Sequence, residues 1–84
     1  MAALTTQRRE HLRDSSFAYV DREGERHLPI NDAAHVRNAI ARFGLTEFES
    51  QKARYAAARL ILSAARRHNI EVSDEAEVMR VSRS

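Results

Sequence analysis

The chain contains no cysteine, and it has 22 apolar side chains larger than alanine with which to close a core. Those two facts bound the fold. Chains near 80 residues often supplement a small core with a disulfide, a metal or a partner, and here the disulfide and every cysteine-containing zinc site are closed off. What remains for these 84 residues is one small domain held by apolar packing. No stretch approaches the roughly 20 apolar residues of a membrane span, and Met1 to Arg13 is polar, without a signal-peptide core. The expectation is a soluble, cytoplasmic chain with no membrane partner. Two glycines, Gly24 and Gly44, are too few for a phosphate-cradling GxGxxG or P-loop motif. A domain this small rarely encloses the cavity that small-molecule chemistry needs, so neither a cofactor nor a small-molecule substrate is expected.

Residues 1–14 read as a polar, flexible arm. From Phe17 the pattern changes to strand formers, Phe17-Ala18-Tyr19-Val20, followed by the turn Asp21-Arg22-Glu23-Gly24 and the alternating run Arg26-His27-Leu28-Pro29-Ile30. This predicts a β-hairpin over about 17–30, with Leu28 and Ile30 on one face and Pro29 marking the second strand as an edge or as the strand's last residues. Asn31 and Asp32 precede a helical period, about 33–43, that places Ala33, Val36, Ala39, Ile40 and Phe43 on one side, with Gly44 as a left-handed stop. Ser50 caps a longer helix, about 51–68, whose core face reads Ala53, Ala56, Ala57, Leu60, Ile61 and Ala64. Asn69 stands where a C-terminal glycine would, and Ile70 can fold back on Ala65. Ser73 is placed to cap a short acidic helix carrying Ala76, Val78, Met79 and Val81. The fold class is α+β: a hairpin packed on two helices, with residues 15–72 as the domain and 73–84 as an acidic, loosely docked tail. Phe43, Ile40, Leu60, Ile61, Phe17, Leu28 and Ile30 are the expected core.

The run Asp14-Ser15-Ser16-Phe17-Ala18-Tyr19-Val20, continued by Arg26-His27-Leu28-Pro29-Ile30-Asn31-Asp32-Ala33-Ala34-His35-Val36-Arg37-Asn38-Ala39-Ile40-Ala41-Arg42-Phe43, resembles a small bacterial and bacteriophage domain family of unknown function. Members join this segment to a serine-capped, alanine-rich helix, whose ending reads here Ala64-Ala65-Arg66-Arg67-His68-Asn69-Ile70. The resemblance covers about residues 14–72 and implies a fold unit found alone or inside larger phage-type proteins, some linked to head assembly. It implies no activity. Tyr55 and Leu62 depart from it, standing where polar residues are expected, as does His68 at a position usually aromatic.

Catalysis finds little support in the residues. A serine nucleophile needs a base and an orienting acid, and Ser63 and His68, five apart, point about 140° from each other on a helix. His27 and His35 would approach each other if the hairpin packs on the first helix, but zinc wants three or four ligands and Asp32 is better used as a cap. Neither a catalytic nor a metal site is expected.

Charge is more informative. Residues 26–70 hold eight bases against three acids, and thirteen of the fourteen bases in the chain are arginine, whose fork suits phosphate and carboxylate. Lys52, Arg59 and Arg66 recur every seven residues on the second helix, while His35, Asn38 and Arg42 lie on the polar face of the first. These are the candidate nucleic-acid contacts. Tyr55, Ala58, Leu62 and Ala65 form a second apolar face on the longer helix, to be covered by the tail, by the arm or by another chain. They are the candidate protein interface. The first functional reading is therefore a non-catalytic interaction or assembly module, phage-related by resemblance, that takes a protein partner or pairs as a homodimer. The rival reading is a nucleic-acid-binding protein with an arginine-rich helical surface.

Overall fold

The computed structural model describes residues 14–83, so the expected arm lies almost entirely outside the described residues. A 3₁₀ turn at Asp14–Ser16 leads into strands β1 (Phe17–Val20) and β2 (Arg26–Pro29), which pair antiparallel with Phe17 opposite Pro29 and Tyr19 opposite His27. Helix α1 (Ala33–Arg42), a 3₁₀ turn (Phe43–Leu45), helix α2 (Gln51–Arg67) and helix α3 (Glu77–Arg83) follow. The hairpin and the long helices occupy the expected segments, and the fold is α+β.

Local chemistry explains the boundaries. Asp32 accepts the His35 amide at 2.8 Å and Ser50 accepts the Ala53 amide at 3.0 Å, each satisfying an orphan donor in the first turn. At the far end of α2, Asn69 adopts φ 55°, its amide reaches the Arg66 carbonyl at 3.2 Å, and the Ile70 amide reaches the Ala65 carbonyl at 2.8 Å. These two bonds close a Schellman motif. Gly44 is not the expected left-handed stop, because Gly24 is the one described glycine with positive φ. α1 instead tightens into the 3₁₀ turn, which carries the fully buried Phe43 inward, and Thr46 closes it through its amide to the Phe43 carbonyl and its hydroxyl to the Arg42 carbonyl. Ser73 accepts the Glu75 amide, so it organises the turn ahead of α3 rather than its first residue.

The core departs from expectation in one systematic way. Phe43, Ile61, Val36 and Val78 are its largest fully buried side chains, joined by Leu28 and Ile30, while Ile40 packs at its edge. Leu60, expected inside, is 47 % exposed, and Ala56 is exposed as well. The buried face of α2 is Ala57, Ala58, Ile61, Ala64 and Ala65, rotated by roughly 70° from the expected one. α3 causes the rotation: it packs along α2 and contributes Val78 and Val81 to the core, so the segment expected as a tail is part of the domain. Phe17 is also corrected, since it is only half-buried and lies beneath the Arg26 guanidinium at 5.5 Å. Ala18 and Tyr19 are the buried residues of β1.

An aromatic ladder ties the hairpin to the core. Phe43 meets Phe48 at 5.2 Å, Phe48 meets Tyr19 at 4.8 Å, and Tyr19 stacks on His27 at 5.3 Å. The Tyr19 hydroxyl donates to Glu49 Oε1 at 2.9 Å and accepts the Glu49 amide at 3.1 Å. The position of His27 is thus set from the interior outward. No helix among the described residues is long and apolar enough to cross a membrane.

Candidate functional site

α1 and α2 contain seven basic residues and no acid. One of the seven, Arg54, is neutralised, by Glu77 of α3 at 2.6 Å. The other six, Arg37, Arg42, Lys52, Arg59, Arg66 and Arg67, are exposed and have no carboxylate partner among the described residues. By contrast, the hairpin arginines Arg22 and Arg26 meet Glu49 and Asp14, and the α3 arginines Arg80 and Arg83 meet Glu77 and Asp74. Among the described residues, unpaired positive charge is thus concentrated on the two long helices. The rotation of α2 centres Lys52, Arg59 and Arg66 on its solvent face, spaced about 10 Å apart along the axis. Arg59 is held upright by Tyr55, whose hydroxyl accepts from it at 3.1 Å and whose ring lies 5.7 Å beneath its guanidinium.

The candidates on α1 are placed differently. Asn38 and Arg42 line a groove of about 370 Å³ between α1 and β2, together with His27, Leu28 and Pro29 and with Leu45, which is 85 % exposed. Arg59 and Arg66 border a separate depression with Leu62 and Ser82, so the two sets of expected nucleic-acid contacts do not share one hollow. His35 is engaged by its own cap: its Nδ1 lies 2.7 Å from Asp32 Oδ1. The His35 amide, and then its ring, hold the Asp32 carboxyl below the usual carboxylate range.

The expected protein interface is mostly not a surface. Ala58 and Ala65 are buried beneath α3, Leu62 is half-buried against the core, and Tyr55 alone of the four remains exposed. Val78, Met79 and Val81 are the occupants, since the helix that carries them presents its apolar side to α2. Of the covers considered for that face, the chain's own C-terminal helix is the one seen.

One cluster escaped the sequence reading. His27 and His35 each pair with an acid of their own segment, and in the hairpin turn His27 Nε2 lies 3.0 Å from Asp21 Oδ2 while Asp21 Oδ1 accepts the Glu23 and Glu25 amides at 2.9 Å. The His27 bond first, and the backbone amides with it, hold the Asp21 carboxyl below its usual range. Burial pushes the Tyr19 phenol up, with the Glu49 side chain acting in the same direction. The available signal was the spacing Asp21, Glu25, His27 across a turn containing Gly24, which brings side chains from both strands to one end of the hairpin.

The chain matches the model of the family of unknown function DUF6582 over residues 3–75, and it belongs to that family. The match ends before α3 begins. No curated protein and no solved structure matches the chain.

Proposed function

We propose that this member of the DUF6582 family is a small non-catalytic module that binds nucleic acid through the outward face of α2. The observation that carries the reading is the partition of charge: two helices without an acid, six of their seven bases without a carboxylate partner among the described residues, while the arginines of the hairpin and α3 are matched with carboxylates. An exposed salt bridge contributes little to stability, so leaving these six unpaired costs the fold little and leaves them available to an anion. Lys52, Arg59 and Arg66 form a row about 21 Å long, which can lie along the continuous negative charge of a nucleic-acid backbone. Arg37 and Arg42 extend the basic surface onto α1. Self-association through Ala58 and Ala65 loses its basis once α3 covers them, and this favours the nucleic-acid reading over the assembly reading.

Three phosphate contacts imply modest, salt-sensitive affinity. Fluorescence anisotropy with short duplex DNA, single strands and structured RNA should show log K falling against log salt with a slope of about −3. Replacing Lys52, Arg59 or Arg66 by alanine should flatten that slope by about one unit each, whereas Arg83→Ala, which removes a base already paired with Asp74, should leave it unchanged. Absence of binding to all three probes at low ionic strength would overturn the proposal.

A further inference from the structure

We propose that Asp21, Glu25 and His27 form a binding site for one divalent transition-metal ion of the zinc type at the tip of the hairpin. Among the described residues, this is the one group of three imidazole or carboxylate side chains whose ligand atoms all lie within 4.8 Å of one another. A tetrahedral zinc ion with bonds near 2.0–2.1 Å separates its ligand atoms by about 3.3 Å. His27 Nε2 and Asp21 Oδ2 already stand 3.0 Å apart, so an ion can replace their direct contact with a shift of a few tenths of an ångström. Glu25 completes the set by a rotamer change, because its side chain is exposed and engages nothing else among the described residues.

The ligands are supported from behind, as metal ligands need to be. Asp21 Oδ1 is fixed by the Glu23 and Glu25 amides, which leaves Oδ2, now against His27 Nε2, as the oxygen to take the ion. The His27 ring is held in plane by stacking on Tyr19, itself anchored to Glu49. The turn is closed by the Asp21 amide to the Glu25 carbonyl and the Gly24 amide to the Asp21 carbonyl, both 2.9 Å, with Gly24 at φ 86°. Among the described residues, no neighbouring arginine competes for the acids: Arg22 lies against Glu49 at 3.6 Å and Arg26 against Asp14 at 3.0 Å. One nitrogen and two carboxylate oxygens suit a borderline divalent ion better than magnesium or calcium, which prefer all-oxygen shells. His27 is open to solvent, with 38 % of its side chain exposed, so water takes the fourth position. An ion held there ties the end of β1 to β2 at the solvent end of the hairpin, beyond its packing on the helices.

The test uses the untagged full chain, stripped of metal by a chelator and titrated with zinc(II) by calorimetry and with cobalt(II) by visible absorption. Expected are one ion per chain, micromolar affinity, a tetrahedral cobalt spectrum and a raised melting temperature in zinc. His27→Ala and Glu25→Gln should each weaken binding by about tenfold or more, while His35→Ala and His68→Ala should not. Glu25→Gln changes one exposed side chain, so its result does not depend on a perturbed fold. Absence of one-to-one binding, unchanged affinity in Glu25→Gln, or a loss caused by His35→Ala in place of His27→Ala overturns the proposal.

Discussion

Single residues in this chain act through their backbone conformation as much as through their contacts, and the two glycines show the difference. Gly24 sits at φ 86° in the hairpin turn, where a side chain is strained, whereas Gly44 has ordinary φ and an added Cβ would meet the Glu77 side chain at 3.7 Å, a normal contact. Gly24→Ala should therefore lower stability by about 1 kcal/mol, and Gly44→Ala should be neutral or raise it by up to about 1 kcal/mol. Urea midpoints of the two variants check this. A reversed order would mean that Gly44 and not Gly24 carries the left-handed position.

Asp21 and Asp32 are the carboxyls through which acid should act on stability. Both carboxyls are held below their ordinary value of 3.8, Asp21 by His27 and Asp32 by the His35 amide and ring. For a depressed carboxyl, the stabilisation is complete above its unfolded pKa and disappears as pH falls through the lower folded value. Stability should thus begin to fall below about pH 4, and Asp21→Asn and Asp32→Asn should each flatten that fall. Chemical unfolding at stepped pH reads the outcome; an unchanged slope in both variants would show that neither acid contributes.

At the scale of the element, α2 shows how a helix can be correct in extent and misjudged in direction. Its cap at Ser50, its left-handed end at Asn69 and the fold-back of Ile70 on Ala65 are local devices, each contained within a few residues, and each was readable. Its buried face is set by what lies against it. α2 is apolar on two sides, so its periodicity alone admits several orientations, and α3 selects the one that buries Ala58 and Ala65 and turns Leu60 outward. Ile61→Ala should then cost about 2–5 kcal/mol, while Leu60→Ala, at a 47 % exposed position, should cost under about 1 kcal/mol. Thermal unfolding of the pair tests the orientation, since the face expected from periodicity would make both costly.

For the whole molecule, the consequence is that the C-terminal helix is structural. Val78 is fully buried, Val81 nearly so, and Glu77 holds Arg54 across the α2–α3 contact. Burial of two valines is worth about 3–6 kcal/mol, a large share of what a domain this small possesses. A chain ending at Val72 should lose most of its cooperative melting and associate through the uncovered face of α2. A truncated chain that melts like the full one, as a monomer in sedimentation, would return α3 to the status of a tail.

By itself, the sequence determined the hairpin, the extent and N-caps of both long helices, the left-handed end of α2 at Asn69, the membership of Phe43, Ile61, Leu28 and Ile30 in the core, and the concentration of bases between residues 26 and 70. All of these follow from short-range chemistry: turn residues, capping hydroxyls and carboxylates, apolar spacing and a count of charges. Tertiary structure alone decided the rest. It chose which of two apolar faces of α2 is inside, placed Ala58 and Ala65 under α3, and brought Asp21, Glu25 and His27 to one end of the hairpin. Among the described residues, it also left Lys52, Arg59 and Arg66 without a carboxylate partner while matching the arginines of the hairpin and α3 with acids. Those outcomes depend on which segments meet in space, and a helix with two apolar sides or an arginine with several acids in reach has no preference among them until packing excludes all but one.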